Sequence, residues 1–213
     1  MTEKNILAVS EGSNQYLDRS YDTKGRFISY WHQIDEISSL KPHSVLVVGI
    51  GNRLVSDYLK QRGMNVKTVD IDPGLNPECV GDVLELPFAS KTFAVIACYQ
   101  VLEHLPFRSF SAALHEIFRV SKEYAVISLP DNSKVYRVFF HIPGVGLFKR
   151  LILRPQLKAA KHVVQYGHQW EIGAAGYPLK KVKQNIQKVG FRICKSYRIF
   201  EYPHHRFFIL KKI

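Results

Sequence analysis

Two glycines and an aspartate at a fixed spacing are the residues of this chain that most clearly indicate chemistry. Gly49 and Gly51 follow the apolar run 45–48, and Asp70 ends the next apolar run. Glycines after a buried strand let the backbone approach a ligand closely, and an acid ending the following strand can accept both hydroxyl protons of a ribose. The spacing therefore predicts a nucleoside-binding site.

The residues around the glycines narrow the kind of nucleoside. A dinucleotide-binding turn has a third glycine three residues after Gly51, where this chain has Leu54. The phosphate-binding pattern GxxxxGK[ST] is also missing. The turn therefore favours a nucleoside ligand without a pyrophosphate.

Four segments in order resemble the motifs of class I S-adenosylmethionine (SAM)-dependent methyltransferases. Residues 45–52 (VLVVGIGN) resemble the first strand and glycine loop, and residues 66–72 (VKTVDID) the second strand and ribose-binding acid. Residues 81–88 (GDVLELPF) resemble the adenine loop, and residues 93–105 (FAVIACYQVLEHL) the fourth strand and the segment over the methyl-transfer centre. The resemblance implies SAM as cofactor.

The same resemblance implies which residues hold the cofactor. The first glycine loop approaches it, Asp70 binds the ribose, Ile71 packs on the adenine, and Asp82 with Val83 binds the adenine's amino edge. The complete implied cofactor set is Gly49, Ile50, Gly51, Asn52, Asp70, Ile71, Asp82, Val83, Tyr99 and Gln100.

Two positions depart from the family's pattern. Val47 stands where the family usually has an acid, and Arg53 where it often has a third glycine. The Arg53 side chain has two interpretations: it pairs with the carboxylate at the methionine end of the cofactor, or it points to solvent from the first helical turn.

Strands alternating with helices predict a doubly wound, mainly parallel seven-stranded sheet, the Rossmann-like methyltransferase fold, with an antiparallel C-terminal edge. With 213 residues the chain is expected to form a single domain, 1–213, in which residues 1–40 include a lid helix. The candidate lid residues are Tyr21, Arg26, Tyr30 and Trp31. The predicted strands are 45–48, 66–70, 93–98, 124–129, 191–200 and 206–211, and the predicted helices are 21–40, 52–61, 107–120 and 178–189.

Residues 134–177 are predicted to be a basic insertion that forms the acceptor region. Within 134–161, apolar and basic residues interleave, and Pro143, Gly144 and Gly146 are expected to split two short helical pieces. This mixture suits an interfacial membrane contact, a substrate lid, or a buried helical hairpin with a solvated basic edge.

Charge is distributed unevenly along the chain. Residues 1–133 hold 13 Lys and Arg against 16 Asp and Glu, whereas residues 134–213 hold 17 against 2. A strongly basic C-terminal portion predicts an anionic partner, and phosphorylated small molecules, an anionic glycan, a membrane surface and nucleic acid all qualify.

Catalytic residues are harder to identify, because a sulfonium already activates the methyl group and the protein mainly aligns the acceptor and excludes water. A base is needed only for a hydroxyl or protonated amine acceptor. The candidates are His104 after the fourth strand, and His168 with Glu171 after the insertion. Neighbouring His204 and His205 are expected to point to opposite faces of a strand, and no metal site is predicted.

Cys79, Cys98 and Cys194 are widely spaced, and the N-terminal residues show no signal-peptide core. The expected location is cytoplasmic, with peripheral contact at the inner membrane face as a further expectation.

The sequence thus predicts SAM-dependent methyl transfer to a small polar or anionic acceptor, with a glycan or lipid precursor as one candidate. An RNA methyltransferase is the first alternative, with Tyr166, Trp170, Tyr177 and Tyr197 as residues on which bases stack. The second alternative is a non-catalytic protein that binds SAM or a partner.

Overall fold

The computed structural model describes residue 16, residues 18–154 and residues 167–213. The strands are β1 (Val45–Val48), β2 (Val66–Asp70), β3 (Cys79–Val80), β4 (Phe93–Tyr99), β5 (Ser121–Pro130), β6 (Val135–Ile142), β7 (Gly146–Leu153), β8 (Phe191–Arg198) and β9 (His205–Lys212). The α-helices are α1 (Lys24–Ser39), α2 (Leu54–Gln61), α3 (Phe107–Val120) and α4 (Leu179–Lys188), and short 3₁₀ turns cover Pro73–Leu75 and Leu102–His104.

Seven strands form one sheet in the order β3-β2-β1-β4-β5-β9-β8. The pairs among β1, β2, β3, β4 and β5 are parallel, whereas β9 runs antiparallel to both of its neighbours. This confirms the doubly wound sheet with an antiparallel C-terminal edge.

The central strands are apolar throughout because helices cover both faces of the sheet. In β1, Leu46 and Val48 pack in a cluster with residues of α3 and α4, such as Phe110 and Ile186. The alternate residues Val45 and Val47 pack with α1 and α2, including Ile37 and Leu59. The two clusters hold the strand ends rigidly, which is what a site built on those ends requires.

The basic insertion differs from its prediction. Residues 135–153 form a two-stranded antiparallel hairpin of β6 and β7, so the prediction of helical pieces is wrong for residues 134–154. Pro143 and Gly144 form the turn: Gly144 has φ +81, and the Val145 N–H donates to the Ile142 carbonyl at 3.0 Å. Proline followed by glycine at positive φ is typical of a type II turn, and the β-branched and aromatic residues on either side favour strands. Residues 155–161 lie outside the described residues.

A buried ionic group fixes the carboxyl end of β5. Asp131, only 1% exposed, accepts from Arg206 Nε at 2.6 Å, and Arg198 donates to the main-chain carbonyls of Asp131 and Ser133. The segment at Ile172 also pairs with this end, because the Ile172 N–H donates to the Pro130 carbonyl. These contacts hold residues 168–172 over the edge of the sheet where ligands bind in such folds.

None of the helices in the described part of the chain has the length and apolar content that crossing a bilayer needs. The division into a lid region (1–40) and an acceptor region (134–177) within a single domain stays a prediction.

Candidate active site

The glycine loop and the acid after β2 are joined directly. The Ile50 N–H donates to the Asp70 carboxylate at 2.8 Å, and the Asp72 N–H donates to its other oxygen at 3.0 Å. Gly49 has φ +77, and a Cβ there would lie 2.3 Å from Cγ2 of Val101, so only glycine fits. The structure therefore brings Gly49, Ile50 and Asp70 together at one edge of the sheet.

The Asp70 carboxylate is suited to binding a diol. Burial raises its pKa, and the backbone N–H groups of Asp72 and Ile50 oppose that rise because they stabilise the charged form. Each oxygen accepts one backbone N–H and keeps capacity for another donor. The remaining lone pairs of the carboxylate can accept from the hydroxyl groups of a ribose.

An apolar surface lies next to this acid. Ile71 exposes 42% of its surface directly after Asp70, whereas Val83 is buried. Asp82 stabilises the loop around Val83, because its carboxylate accepts from the Leu84 N–H at 2.9 Å and its carbonyl from the Glu85 N–H at 3.0 Å. That Ile71 and Asp82 contact an adenine stays a prediction.

The N-terminal helix is anchored to the glycine loop, as a cover for the cofactor requires. Asn52 Nδ2 donates to the Asp22 carboxylate (3.0 and 3.2 Å) and to the Tyr30 hydroxyl (3.1 Å), and Tyr30 donates to Asp22. A Cβ on Gly51 would lie 3.6 Å from the Tyr16 ring. Trp31, another expected lid residue, is instead 60% exposed.

The structure shows where the two residues that depart from the family's first motif lie. Arg53 lies in the left-handed region, with φ +66, and donates to the Asn76 carbonyl at 2.9 Å; its Nε is 3.6 Å from Asp57. These contacts direct it toward the turn after β2, in agreement with an outward position in the first helical turn. Val47 is buried in the sheet. The positive φ explains why a glycine suits the Arg53 position.

A second group of polar residues lies beyond β4 and contains all three catalytic candidates. His168 Nδ1 and Glu171 Oε1 are 2.8 Å apart, and His168 Nε2 is 4.0 Å from Glu103 Oε1. The His104 and His168 rings have centroids 5.0 Å apart. Burial raises the pKa of the fully buried Glu103 to about 8, and the charge of Glu171 adds to that rise. The structure thus gathers His104, His168 and Glu171 into one group with Glu103. We call this group the acceptor-side wall, after its predicted role.

The remaining cofactor candidates are Tyr99 and Gln100, which bond to residues of α1, β5 and the acceptor-side wall. The buried Tyr99 hydroxyl donates to the Gln33 carbonyl of α1. Gln100 has φ +54, and its amide, oriented to satisfy its neighbours, donates to Glu103 Oε1 at 3.2 Å and accepts from Ser128 Oγ at 3.1 Å. Their contact with a cofactor stays a prediction.

Two contacts near the carboxyl edge of the sheet were not predicted from the sequence. His205 Nδ1 lies 2.8 Å from Ser29 Oγ, a pairing across 176 positions that no spacing signals. The Arg26 guanidinium packs 3.7 Å over the Tyr21 ring, and its buried Nε has no hydrogen-bond partner among the described residues. Arg26 and Tyr21 were expected only as parts of a lid.

Comparison with known proteins shows what this chain is similar to. Residues 46–129 match a family described as a methyltransferase domain. No curated protein matched the sequence significantly. Among solved structures, the chain resembles magnesium protoporphyrin IX methyltransferase from Synechocystis PCC 6803 with bound SAM (13% identity; 100% of this chain and 98% of that chain covered; TM-score 0.66).

Two further solved structures show the same fold. One is 1,6-didemethyltoxoflavin-N1-methyltransferase from Burkholderia thailandensis, with bound S-adenosylhomocysteine (14% identity, 100% and 91% covered, TM-score 0.63). The other is a glycopeptide N-methyltransferase (9% identity, 86% and 90% covered, TM-score 0.55). Residues 46–129 thus match a methyltransferase domain, and the whole chain shares the fold of these SAM-dependent enzymes. Both findings are consistent with SAM as the cofactor.

Because the Arg53 backbone is left-handed, we expect a glycine at this position to be more stable than an alanine, the reverse of the usual order in helices. Arg53→Gly is expected to be more stable than Arg53→Ala by about 0.5–1 kcal/mol, because both lose the side-chain contacts and only glycine removes the Cβ strain. Urea denaturation of the two variants measures the difference. In α2, Lys60→Gly and Lys60→Ala should show the opposite order. Equal or greater stability of Arg53→Ala would show that the strain is absent.

Proposed function

We propose that the protein methylates a small anionic acceptor bound between the start of α1 and the acceptor-side wall. The observation that carries this proposal is the Arg26 side chain, whose buried Nε lacks a partner among the described residues. The Arg26 charge also lowers the pKa of the buried His205, together with burial, so the two groups lie close enough to interact. A buried, unsatisfied cationic donor favours an anionic ligand group.

The proposed cofactor residues lie at the carboxyl ends of β1, β2 and β3. Gly49 and Gly51 allow close approach of the backbone, Asp70 binds the ribose hydroxyls, and Ile71 with Asp82 binds the adenine. When bound, SAM supplies a methyl group that its positive sulfur has already activated. The protein's own task is then to orient the acceptor and keep water away.

The acceptor-side wall is proposed to orient the acceptor and to take up a proton when the acceptor atom is a hydroxyl or a protonated amine. The hydrogen bond between His168 Nδ1 and Glu171 favours the imidazole tautomer that carries its proton on Nδ1. That tautomer leaves a lone pair on Nε2, the nitrogen nearest Glu103. His104 lies against His168 and completes the wall.

Similar structures support a small-molecule acceptor over RNA. These proteins are named as methyltransferases of 1,6-didemethyltoxoflavin, magnesium protoporphyrin IX and a glycopeptide. Two of the aromatic residues considered for base stacking are packed in this chain: Trp170 is fully buried, and Tyr197 stacks on Phe207 with centroids 5.5 Å apart. Tyr166 lies outside the described residues.

We also propose that the β6–β7 hairpin contacts an anionic membrane, where a lipid or glycan precursor would be within reach. One face of the hairpin carries exposed apolar side chains at alternate positions: Tyr136, Phe140, Ile142, Phe148 and Ile152. The other face is tied to the body through Glu201, which binds Lys149 and Arg137. The exposed cations Lys134, Arg150 and Arg154 complement an anionic lipid surface.

Cofactor binding is tested by calorimetric titration with S-adenosylhomocysteine. Asp70→Ala is expected to weaken binding about 100-fold, since it removes the charged carboxylate to which both ribose hydroxyls would donate. Asp57→Ala, which removes a more exposed acid from α2, should bind like the unmodified protein. Absence of binding by the unmodified protein would instead favour the non-catalytic alternative.

The acceptor proposal is tested by screening carboxylated and phosphorylated small molecules beside their neutral counterparts for methylation. Arg26→Met is expected to raise the acceptor KM about 10- to 100-fold, because a charge-assisted hydrogen bond is lost. The affinity of this variant for S-adenosylhomocysteine should not change. In the control variant Lys24→Met, both the acceptor KM and the affinity for S-adenosylhomocysteine should stay as in the unmodified protein. Equal turnover of neutral acceptors, or a loss of S-adenosylhomocysteine binding in Arg26→Met, would refute the role of Arg26.

Membrane contact is tested by co-sedimentation with phosphatidylcholine vesicles with and without phosphatidylglycerol. Binding is expected only with the anionic lipid. The vesicle affinity of the double variant Phe140→Ser/Phe148→Ser should be more than about 10-fold lower. Each phenylalanine side chain that the lipid buries contributes about 1.5–3 kcal/mol to binding. Tyr58→Ser, at an exposed site on α2, is the control. A salt-sensitive RNA gel shift without vesicle binding would assign the basic hairpin to nucleic acid instead.

A further inference from the structure

A buried carboxylate and two imidazoles meet directly after β4, beside the proposed cofactor residue Gln100. One ligand atom from each of Glu103, His104 and His168 lies within 4.8 Å of the other two. Glu103 and His104 come from the same 3₁₀ turn, and His168 comes from the segment that pairs with the end of β5. Their separation along the chain is why the sequence predicted no metal site.

The Glu103 carboxylate lacks part of the hydrogen bonding that a buried acid needs. Its side chain is fully buried, and Oε2 has no hydrogen-bond partner among the described residues. Oε1 accepts from Gln100 and lies 4.0 Å from His168 Nε2. A buried carboxylate oxygen without a donor is costly unless a proton or a cation satisfies it.

Each imidazole makes a contact that can orient its ring. His168 Nδ1 bonds to Glu171, which leaves Nε2 beside Glu103. Burial lowers the pKa of His104, the neighbouring His168 adds to that shift, and the adjacent Gly167 backbone opposes it. Metal-binding histidines are usually oriented in this way, by a carboxylate or a backbone carbonyl on the second ring nitrogen.

We propose that Glu103, His104 and His168 bind one divalent transition-metal ion, with Zn²⁺ as the best match, and that Glu171 orients His168. Two imidazoles and one carboxylate are a common ligand set for Zn²⁺ and other first-row metals. Binding would draw the ligand atoms from within 4.8 Å of one another to about 3.4 Å, the spacing of ligands in a tetrahedral zinc site.

Three protein ligands leave one coordination position open, as in catalytic zinc sites. An oxygen of the anionic acceptor would fit that position, and this last step alone rests on the proposed function. A cation bound there would occupy His168 Nε2 and so replace the proton uptake proposed for that nitrogen. It would act as a Lewis acid and orient the acceptor instead. The competing explanation is a proton on Glu103, whose pKa of about 8 keeps the carboxyl largely neutral at pH 7.

The experiment is a Co²⁺ titration of chelator-treated protein without a histidine tag, followed by visible absorption, with Zn²⁺ as competitor. One Co²⁺ per chain with micromolar or tighter affinity is expected, and Zn²⁺ should displace it. Glu103→Gln and His168→Gln should each weaken binding about 100-fold or more, and Glu171→Gln about 10- to 100-fold. His115→Gln, on the exposed face of α3, should bind normally.

Circular dichroism of each variant shows whether the fold is retained, and Gln is nearly isosteric with Glu at the buried position. The inference fails if Co²⁺ does not bind at micromolar concentration, or if Glu103→Gln binds it as tightly as the unmodified protein. Titration of the same metal-free protein with S-adenosylhomocysteine reports on the cofactor site separately. A failed methyltransferase proposal would therefore be distinguishable from a failed metal proposal.

Discussion

The hydrogen bond between the Ile50 N–H and the Asp70 carboxylate is the constraint on which the site depends. It fixes the glycine loop against the end of β2, where two parallel strands already converge. Asn52, two residues after Ile50, then anchors the N-terminal helix through Asp22 and Tyr30. Because the loop is held from one side by β2 and from the other by α1, its left-handed residues keep a single geometry. The surface that faces a nucleoside is therefore preorganised.

Local sequence patterns predicted those parts of the fold that local physics determines. Helix α3 has the predicted bounds because Phe110, Leu114 and Ile117 recur at helical spacing and all become fully buried. The hairpin was mispredicted because its apolar and basic residues also fit helical steps. Pro143 and Gly144 were interpreted as a break between helices, although the same dipeptide is typical of a turn between strands. The pairing of β6 with β7 favours the strand hairpin over two helical pieces.

The two halves of the candidate site differ in how far the sequence predicts them. The cofactor half lies within consecutive strand–loop units, so motif order alone placed Gly49, Asp70 and Asp82 correctly relative to the sheet. The acceptor half consists of contacts between distant segments. His168 meets Glu103 and His205 meets Ser29 only because Asp131 and Ile172 fix the end of β5. No spacing in the sequence encodes such contacts.

The position of β9 has a consequence for how the chain acquires its structure during synthesis. β9 is the last strand in chain order, yet it lies inside the sheet, between β5 and β8. Until residues 205–212 have left the ribosome, the apolar strand β5 has an open edge that can pair with other nascent chains. β8 and β9 are antiparallel neighbours joined by a short connection, so they can form a hairpin first and close that edge as one unit. Completion of the parallel core therefore waits for the final antiparallel pair.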